Sequence, residues 1–255
     1  MKRHAFLSVI TLGLFGFFCF SSVSAWAGTM GEIEPVKSWT WVGTLSAGAV
    51  WAKGDETQTF YLASETEKTY LSSESSTALI EGDLFFGVQK ILSRHWQGQL
   101  GLGLTATGNA QFKGFIWDDA DEDFNNYRYD YKVRHRAIAL KAKLLLDKNN
   151  QLLPWISASL GAGFNRTDKF INTPLIFEAV KNNNFVHHIT HTFTYTLGFG
   201  LQHILNSHWQ VGAGYEFADW GQSELGRAAG QTLNTGLKIN HIYTNGFLFN
   251  LTYLV

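Results

Sequence analysis

The sequence predicts an all-β protein: an eight-stranded antiparallel transmembrane β-barrel with short periplasmic turns and four long extracellular loops. Three observations carry this expectation. Apolar residues recur at every second position through eight segments, and charged residues make up only 16% of the chain. Beyond the N-terminal leader, no stretch is continuously apolar over the ~20 residues that a spanning helix needs. Transmembrane strands reconcile these facts, because such strands show lipid an apolar side chain only at alternate positions.

The leader comes first. Lys2, Arg3 and His4 precede an apolar run from Ala5 to Phe20, and small residues then lead to Ala25, Trp26 and Ala27. This is the order of a secretory signal with an Ala-x-Ala cleavage site. Residues 1–27 are therefore expected to be removed, residues 28–38 to form a periplasmic N-terminal segment, and residues 39–255 to form the barrel. The only cysteine, Cys19, falls inside the signal, so no disulfide or thiolate metal site is expected afterwards. Loss of Lys2 and Arg3 takes the formal net charge from −1 to −3. That balance excludes the basic excess on which nucleic-acid binding depends.

The strands follow in order. Trp39, Trp41, Leu45, Ala47, Ala49 and Trp51 alternate with Thr40, Thr44, Ser46 and Gly48. Ile80, Leu84, Phe86 and Val88 oppose Glu81, Asp83 and Gln89. Leu100, Leu102 and Leu104 oppose Gln97, Gln99 and Thr105. Ile138, Leu140, Ala142 and Leu144 oppose Ala139, Lys141 and Lys143, and Ile156, Ala158 and Leu160 oppose Ser157 and Ser159. The last three segments set Phe193, Leu197 and Phe199 against Thr194 and Thr196, Val211, Ala213 and Tyr215 against Gln210 and Glu216, and Phe247, Phe249 and Leu251 against Asn250 and Thr252. The second face is Gly, Ser, Thr and Gln with few charges, too poor in Lys, Asp and Glu for a water-facing exterior. Apolar residues are therefore expected outward, and polar residues inward.

Short connections are expected at Leu92 to His95, Asp147 to Leu153 and Leu205 to His208. The long ones span Gly54 to Ser76, Gly108 to Asp130, Arg166 to Thr190 and Asp219 to Ile242. Residues 231–242 could add a ninth strand, and are assigned to the fourth loop because an even count returns the C-terminus to the periplasm. Trp39, Trp41, Trp96, Trp155, Trp209 and Tyr253 recur at one end of the strands, and are expected to form an aromatic belt at the periplasmic interface. The segment from Gly87 to Gln97 repeats from Gly200 to Gln210, an offset of four strands.

Candidate chemistry is sparse. Glu81, Asp83, Lys141, Lys143 and Glu216 fall on the inward face and are expected to pair there, because a buried unpaired charge is costly. The second loop holds an acidic run (Asp118, Asp119, Asp121, Glu122, Asp123) among aromatics. Phe115, Trp117, Phe124 and Tyr127 are the candidates for contact with a partner or with lipopolysaccharide. His187, His188 and His191 sit close together near the top of the sixth strand, at a spacing compatible with a metal or a pH-sensitive loop as a minor alternative. No cofactor, metal site or catalytic residue is expected.

The end of the chain adds a resemblance. Thr244, Gly246, Phe249, Leu251, Tyr253 and Val255 look like the β-signal read by the barrel assembly machinery, although Val255 stands where a terminal Phe is common. With the alternation, this resembles the small outer-membrane barrel superfamily of OmpA-type barrel domains and opacity-type, OmpX-like and OmpW-like proteins. The resemblance implies outer-membrane localisation, contact with lipid and lipopolysaccharide, and a monomer. It also implies three function classes. A surface interaction (adhesin-like) protein that binds a host or surface ligand leads, a narrow pore for small solutes follows, and a lipid-modifying enzyme comes last.

Overall fold

The computed structural model describes residues 39–255, apart from positions 55, 74, 75, 149 and 181. The signal peptide and the periplasmic segment expected over residues 1–38 lie outside the described residues. The strands are β1 (Thr40–Lys53), β2 (Gln58–Ala63), β3 (Thr66–Ser73), β4 (Thr77–Ser93), β5 (Trp96–Asp118), β6 (Asn125–Leu146) and β7 (Leu152–Pro174). They continue with β8 (Phe185–Val186), β9 (His188–Ile204), β10 (Trp209–Asp219), β11 (Ser223–Glu224), β12 (Gly226–Ala228), β13 (Lys238–Ile239) and β14 (Tyr243–Leu254).

The long strands pair antiparallel in a closed ring. β1 pairs with β4, β4 with β5, β5 with β6, β6 with β7 and β7 with β9; β9 then pairs with β10, β10 with β14, and β14 with β1. The sheet contains ten strands because the hairpin of β2 and β3 joins it along the upper part of β5. Alternate side chains point to opposite faces, as the pleat requires. Outward residues are apolar and bare, with Ile80 76% and Phe249 70% exposed, whereas inward Glu81 is 2% exposed. An exterior of this kind is solvated only by hydrocarbon, and ring closure leaves no open edge in that solvent.

Strand lengths correct the expected loops. The segment from Gly108 to Asp130 is largely a hairpin, because β5 and β6 run on to a turn at Asp118–Phe124 in which Asp119 and Ala120 take positive φ of 53° and 55°. β7 continues through Arg166 to Pro174, and the first loop contains β2 and β3. Residues 231–242 add to the ring no strand of their own. They hold β13, which pairs with β11 inside the fourth loop, and β8 pairs with β12 beside it.

Where the strands leave the apolar band, their polarity reverses. On β6 the outward residues Ile138, Leu140 and Leu144 give way to Arg136, Arg134, Lys132 and Arg128. The inward Ala139 and Ala137 give way to Val133, Tyr131, Tyr129 and Tyr127. On β5 a register shift between Ala106 and Asn109 exchanges the faces, so that Phe112 and Ile116 turn inward. On β7 a second shift lies opposite Asp130 to Lys132, where Lys169 has a φ of 58°, and Phe170 and Asn172 turn inward beyond it. One extra residue in a strand of period two moves every later side chain to the other face.

Candidate functional site

The interior within the apolar band is a polar network. Lys141 Nζ lies 3.0 Å from Asp83 Oδ1 and 3.4 Å from Glu216 Oε2, and Thr105 Oγ1 donates to Asp83 at 3.1 Å. Lys143 donates to Gln202 and lies 4.5 Å from the centre of the Trp155 ring. Glu81 is buried beside Glu216. All five charged residues that the alternation placed inward therefore do face the interior. The space left between them is about 40 Å³, lined by Lys141, Lys143, Gln99, Trp155 and Asn250 among others. That volume admits a few water molecules and no solute.

Trp155 is a correction to the aromatic belt. It is buried, pointing into the interior, because it shares parity with the inward Ser157 and Ser159. Gly214 makes room for it, since a Cβ there would stand 2.3 Å from Trp155 Cζ2. The other belt residues, Trp39, Trp41, Trp96, Trp209 and Tyr253, are exposed, with Trp209 and Tyr253 in ring contact at 4.8 Å. Of the terminal segment, Phe249, Leu251 and Tyr253 face outward, Thr244 and Gly246 face inward, and Val255 follows the last strand.

Above the band the interior becomes an aromatic core of Tyr70, Phe112, Tyr129, Tyr131, Phe170 and Phe185 with Leu225, Leu237 and Ile239 from the fourth loop. Tyr129 stacks against Tyr131 at 6.1 Å and Phe170 at 5.7 Å. Burial raises the Tyr70 phenol above its ordinary range, and it also raises that of Tyr127. The fourth loop is drawn inside by a buried clamp at the mouth. His135 Nδ1 meets Asn165 Oδ1 at 2.7 Å, and Asn165 Nδ2 donates to the carbonyls of Trp220 at 2.8 Å and Gln222 at 2.7 Å. Trp220 lies flat on His135, with 4.9 Å between centroids and 2° between planes. The loop then passes Gly221, whose φ of 69° and proximity to Thr192 Oγ1 leave no room for a side chain.

The expected contact residues divide. Phe124 is exposed at the hairpin turn, Phe115 and Trp117 are half-buried on the outward face, and Tyr127 is buried with its hydroxyl donating to Val180 O at 2.9 Å. The sequence reading missed the apolar tip of the third loop, where Leu175, Ile176, Phe177 and Val180 are all exposed, Phe177 fully so. A Leu-Ile-Phe run among loop residues was the available signal. Leu175 N donates to Asn126 O at 2.8 Å, which sets this tip beside the β5–β6 turn.

His187, His188 and His191 do not converge, and no group of three His, Cys, Asp or Glu able to hold a metal occurs among the described residues. His241 Nδ1 pairs with Asp219 Oδ2 at 2.8 Å, His241 stacks on Tyr243, and Asp219 also accepts from Gly221 N. The carbonyl oxygen of Asp219 also accepts from Thr194 Oγ1 at 2.7 Å.

A closed antiparallel ring with an apolar exterior, one end with short turns and the other with tall hairpins, decides the class. The chain is an outer-membrane β-barrel protein. Neither a protein-family model nor a curated protein sequence matches it. Among solved structures, the outer-membrane protease OmpT from Escherichia coli is similar at 8% identity and a TM-score of 0.49, covering 85% of this chain and 97% of that one. Neisserial surface protein A is similar at 12% identity and a TM-score of 0.42, covering 83% and 96%. The outer-membrane protein OprG from Pseudomonas aeruginosa is similar at 12% identity and a TM-score of 0.38, covering 84% and 95%. Outer-membrane barrels carry short turns on the periplasmic side and long hairpins on the cell exterior.

Proposed function

We propose that this barrel is a closed scaffold that presents an apolar contact surface outside the cell. The observation that carries the reading is the bare tip of Leu175, Ile176, Phe177 and Val180, set beside Phe124 at the outermost hairpin turn. Contiguous apolar side chains in water mark a place for a partner. A packed interior supports the same reading, since the space among the charges is about 40 Å³ and an aromatic core lies above it. The partner is then a protein or a surface with an exposed apolar patch.

Bacteria that carry the wild-type protein or Ile176→Ser/Phe177→Ser/Val180→Ser would be compared for attachment to protein-coated surfaces, and the purified proteins for current across planar bilayers. The reading predicts a severalfold loss of attachment in the variant and no stable channel current from either protein. Stable current steps that change in Lys141→Met/Lys143→Met would support the pore instead, and equal attachment would remove the apolar tip as the contact.

A further inference from the structure

We infer that the outer face of β6, β7 and β9, at the extracellular rim of the apolar band, is a binding site for the phosphorylated glucosamine headgroup of lipid A in the surrounding leaflet. The inference stands apart from the apolar tip and needs only the outer-membrane location. Arg134 and Arg136 are consecutive outward residues of β6, so their side chains emerge roughly 7 Å apart. Arg166 of β7 lies directly across from Arg134, and Phe164 directly across from Arg136. On β9, Ile189 lies across from Arg166 and His191 across from Phe164. Three guanidinium groups and an imidazole thus share one small patch.

Two of these cations, Arg134 and Arg166, sit in one cross-strand pair, an arrangement that is destabilising unless something neutralises it. The neighbouring groups do so only in part. Arg166 Nε is paired with Asp168 Oδ2 at 3.1 Å, and Arg134 donates to Asn109 Oδ1 through Nε at 3.2 Å and Nη2 at 3.0 Å. Arg136 takes part in none of the ion pairs among the described residues. The patch encloses a depression of about 590 Å³ whose remaining lining includes Leu104, Ile138, Phe164 and Ile189.

The position selects the occupant. Ile138 and Leu104 are the last large apolar residues of the lipid-facing band on their strands, so the arginines stand at the headgroup level of the outer leaflet. Guanidinium forks bind phosphate through paired N–H donors, and a ligand with an anionic head and acyl chains meets both the cations and the apolar floor. On β1, β14 and β10 the rim carries Trp51, Tyr243 and Phe217 in place of arginines, with Phe217 stacked on Tyr243 at 5.8 Å and Lys53 across from Tyr243. The cluster is therefore a local site and not a uniform girdle.

The test is native mass spectrometry of the mature barrel in detergent micelles, titrated with diphosphoryl lipid A, monophosphoryl lipid A and phosphatidylglycerol. The wild type is expected to bind diphosphoryl lipid A most tightly and phosphatidylglycerol at least tenfold more weakly. Arg134→Gln/Arg136→Gln/Arg166→Gln should bind diphosphoryl lipid A at least tenfold more weakly than wild type, while Arg94→Gln in a periplasmic turn should match wild type. Heat-dependent gel mobility reports whether each variant keeps its barrel. If the triple variant does not fold, Arg136→Gln alone is expected to weaken binding severalfold. Undiminished binding in the folded arginine variants would overturn the site, and equal affinity for phosphatidylglycerol would overturn lipid A as its occupant.

Discussion

Inside the apolar band the ring encloses Lys141, Asp83 and Glu216; a few residues higher, the same strands enclose Tyr129, Tyr131, Phe112 and Phe170. The difference between these two interiors follows from what lies outside. Where hydrocarbon surrounds the ring, apolar side chains belong outward, and the narrow interior receives small and polar residues that must satisfy one another. Where water surrounds it, the rule becomes that of a soluble protein, with charges outward and an apolar core within. β6 makes this exchange by composition at Arg136–Ile138, whereas β5 and β7 make it by bulges.

The sharpest way to break this comparison is to put a charge into the upper core. Phe112→Asp should cost several kcal/mol, because the carboxylate would have no partner among aromatic rings. On intact cells it is expected to open the fourth loop to protease while the barrel stays in the membrane. The neighbouring Lys113→Asp, on the outward face but across from Asp130, should cost no more than about 1 kcal/mol. Equal damage from both substitutions would contradict the inward orientation of Phe112.

The polar interior gives the next effect. Lys141→Met leaves Asp83 and Glu216 buried without their ammonium, and should lower stability by about 3–5 kcal/mol in urea titrations of the barrel in lipid vesicles. Replacing the whole cluster together, as Lys141→Met/Asp83→Leu/Glu216→Leu/Glu81→Leu, should recover most of that loss, since an apolar interior needs no pairing. No recovery would mean that the network does more than neutralise itself.

The clamp between the two interiors is smaller. Asn165→Ala removes the acceptor of His135 and the donor to two loop carbonyls, an effect of about 1–3 kcal/mol. It should appear as faster hydrogen exchange in residues 220–223 with the strands unchanged. Smallest is the pH effect of the buried phenols. Because burial raises the Tyr70 and Tyr127 values, folding favours their neutral forms. That contribution is complete below the unfolded value of about 10 and is lost as pH rises through the higher folded values. Ultraviolet titration should show both tyrosines ionising late in the wild type, and at the ordinary pH after unfolding.

Much of the band was legible because a period of two with one apolar parity is a local signal. The repeated segments also have a plain structural meaning. Each places paired glutamines at the periplasmic end, where Gln89 Nε2 donates to Gln97 Oε1 at 3.0 Å and Gln202 donates to Gln210. The parity that misplaced Trp155 was in the sequence too, since it matches Ser157 and not Ile156. The upper half was harder to read. The Tyr-x-Tyr-x-Tyr alternation of Tyr127 to Tyr131 continues β6 with its polarity reversed, and the bulges of β5 and β7 break the pattern that would have extended those strands. The inward course of the fourth loop depends on Asn165 and His135, more than 50 residues away in the chain, and no local pattern encodes such contacts.

The most direct test of the polarity reversal is the environment of single nitroxide labels on outward positions of one hairpin, measured by power saturation in lipid vesicles. Labels at Leu102 and Leu140 should be relaxed by oxygen dissolved in the bilayer, and labels at Lys113 and Lys132 by a water-soluble nickel chelate. A label at Lys113 or Lys132 that reports hydrocarbon, or one at Leu102 or Leu140 that reports water, would contradict the account.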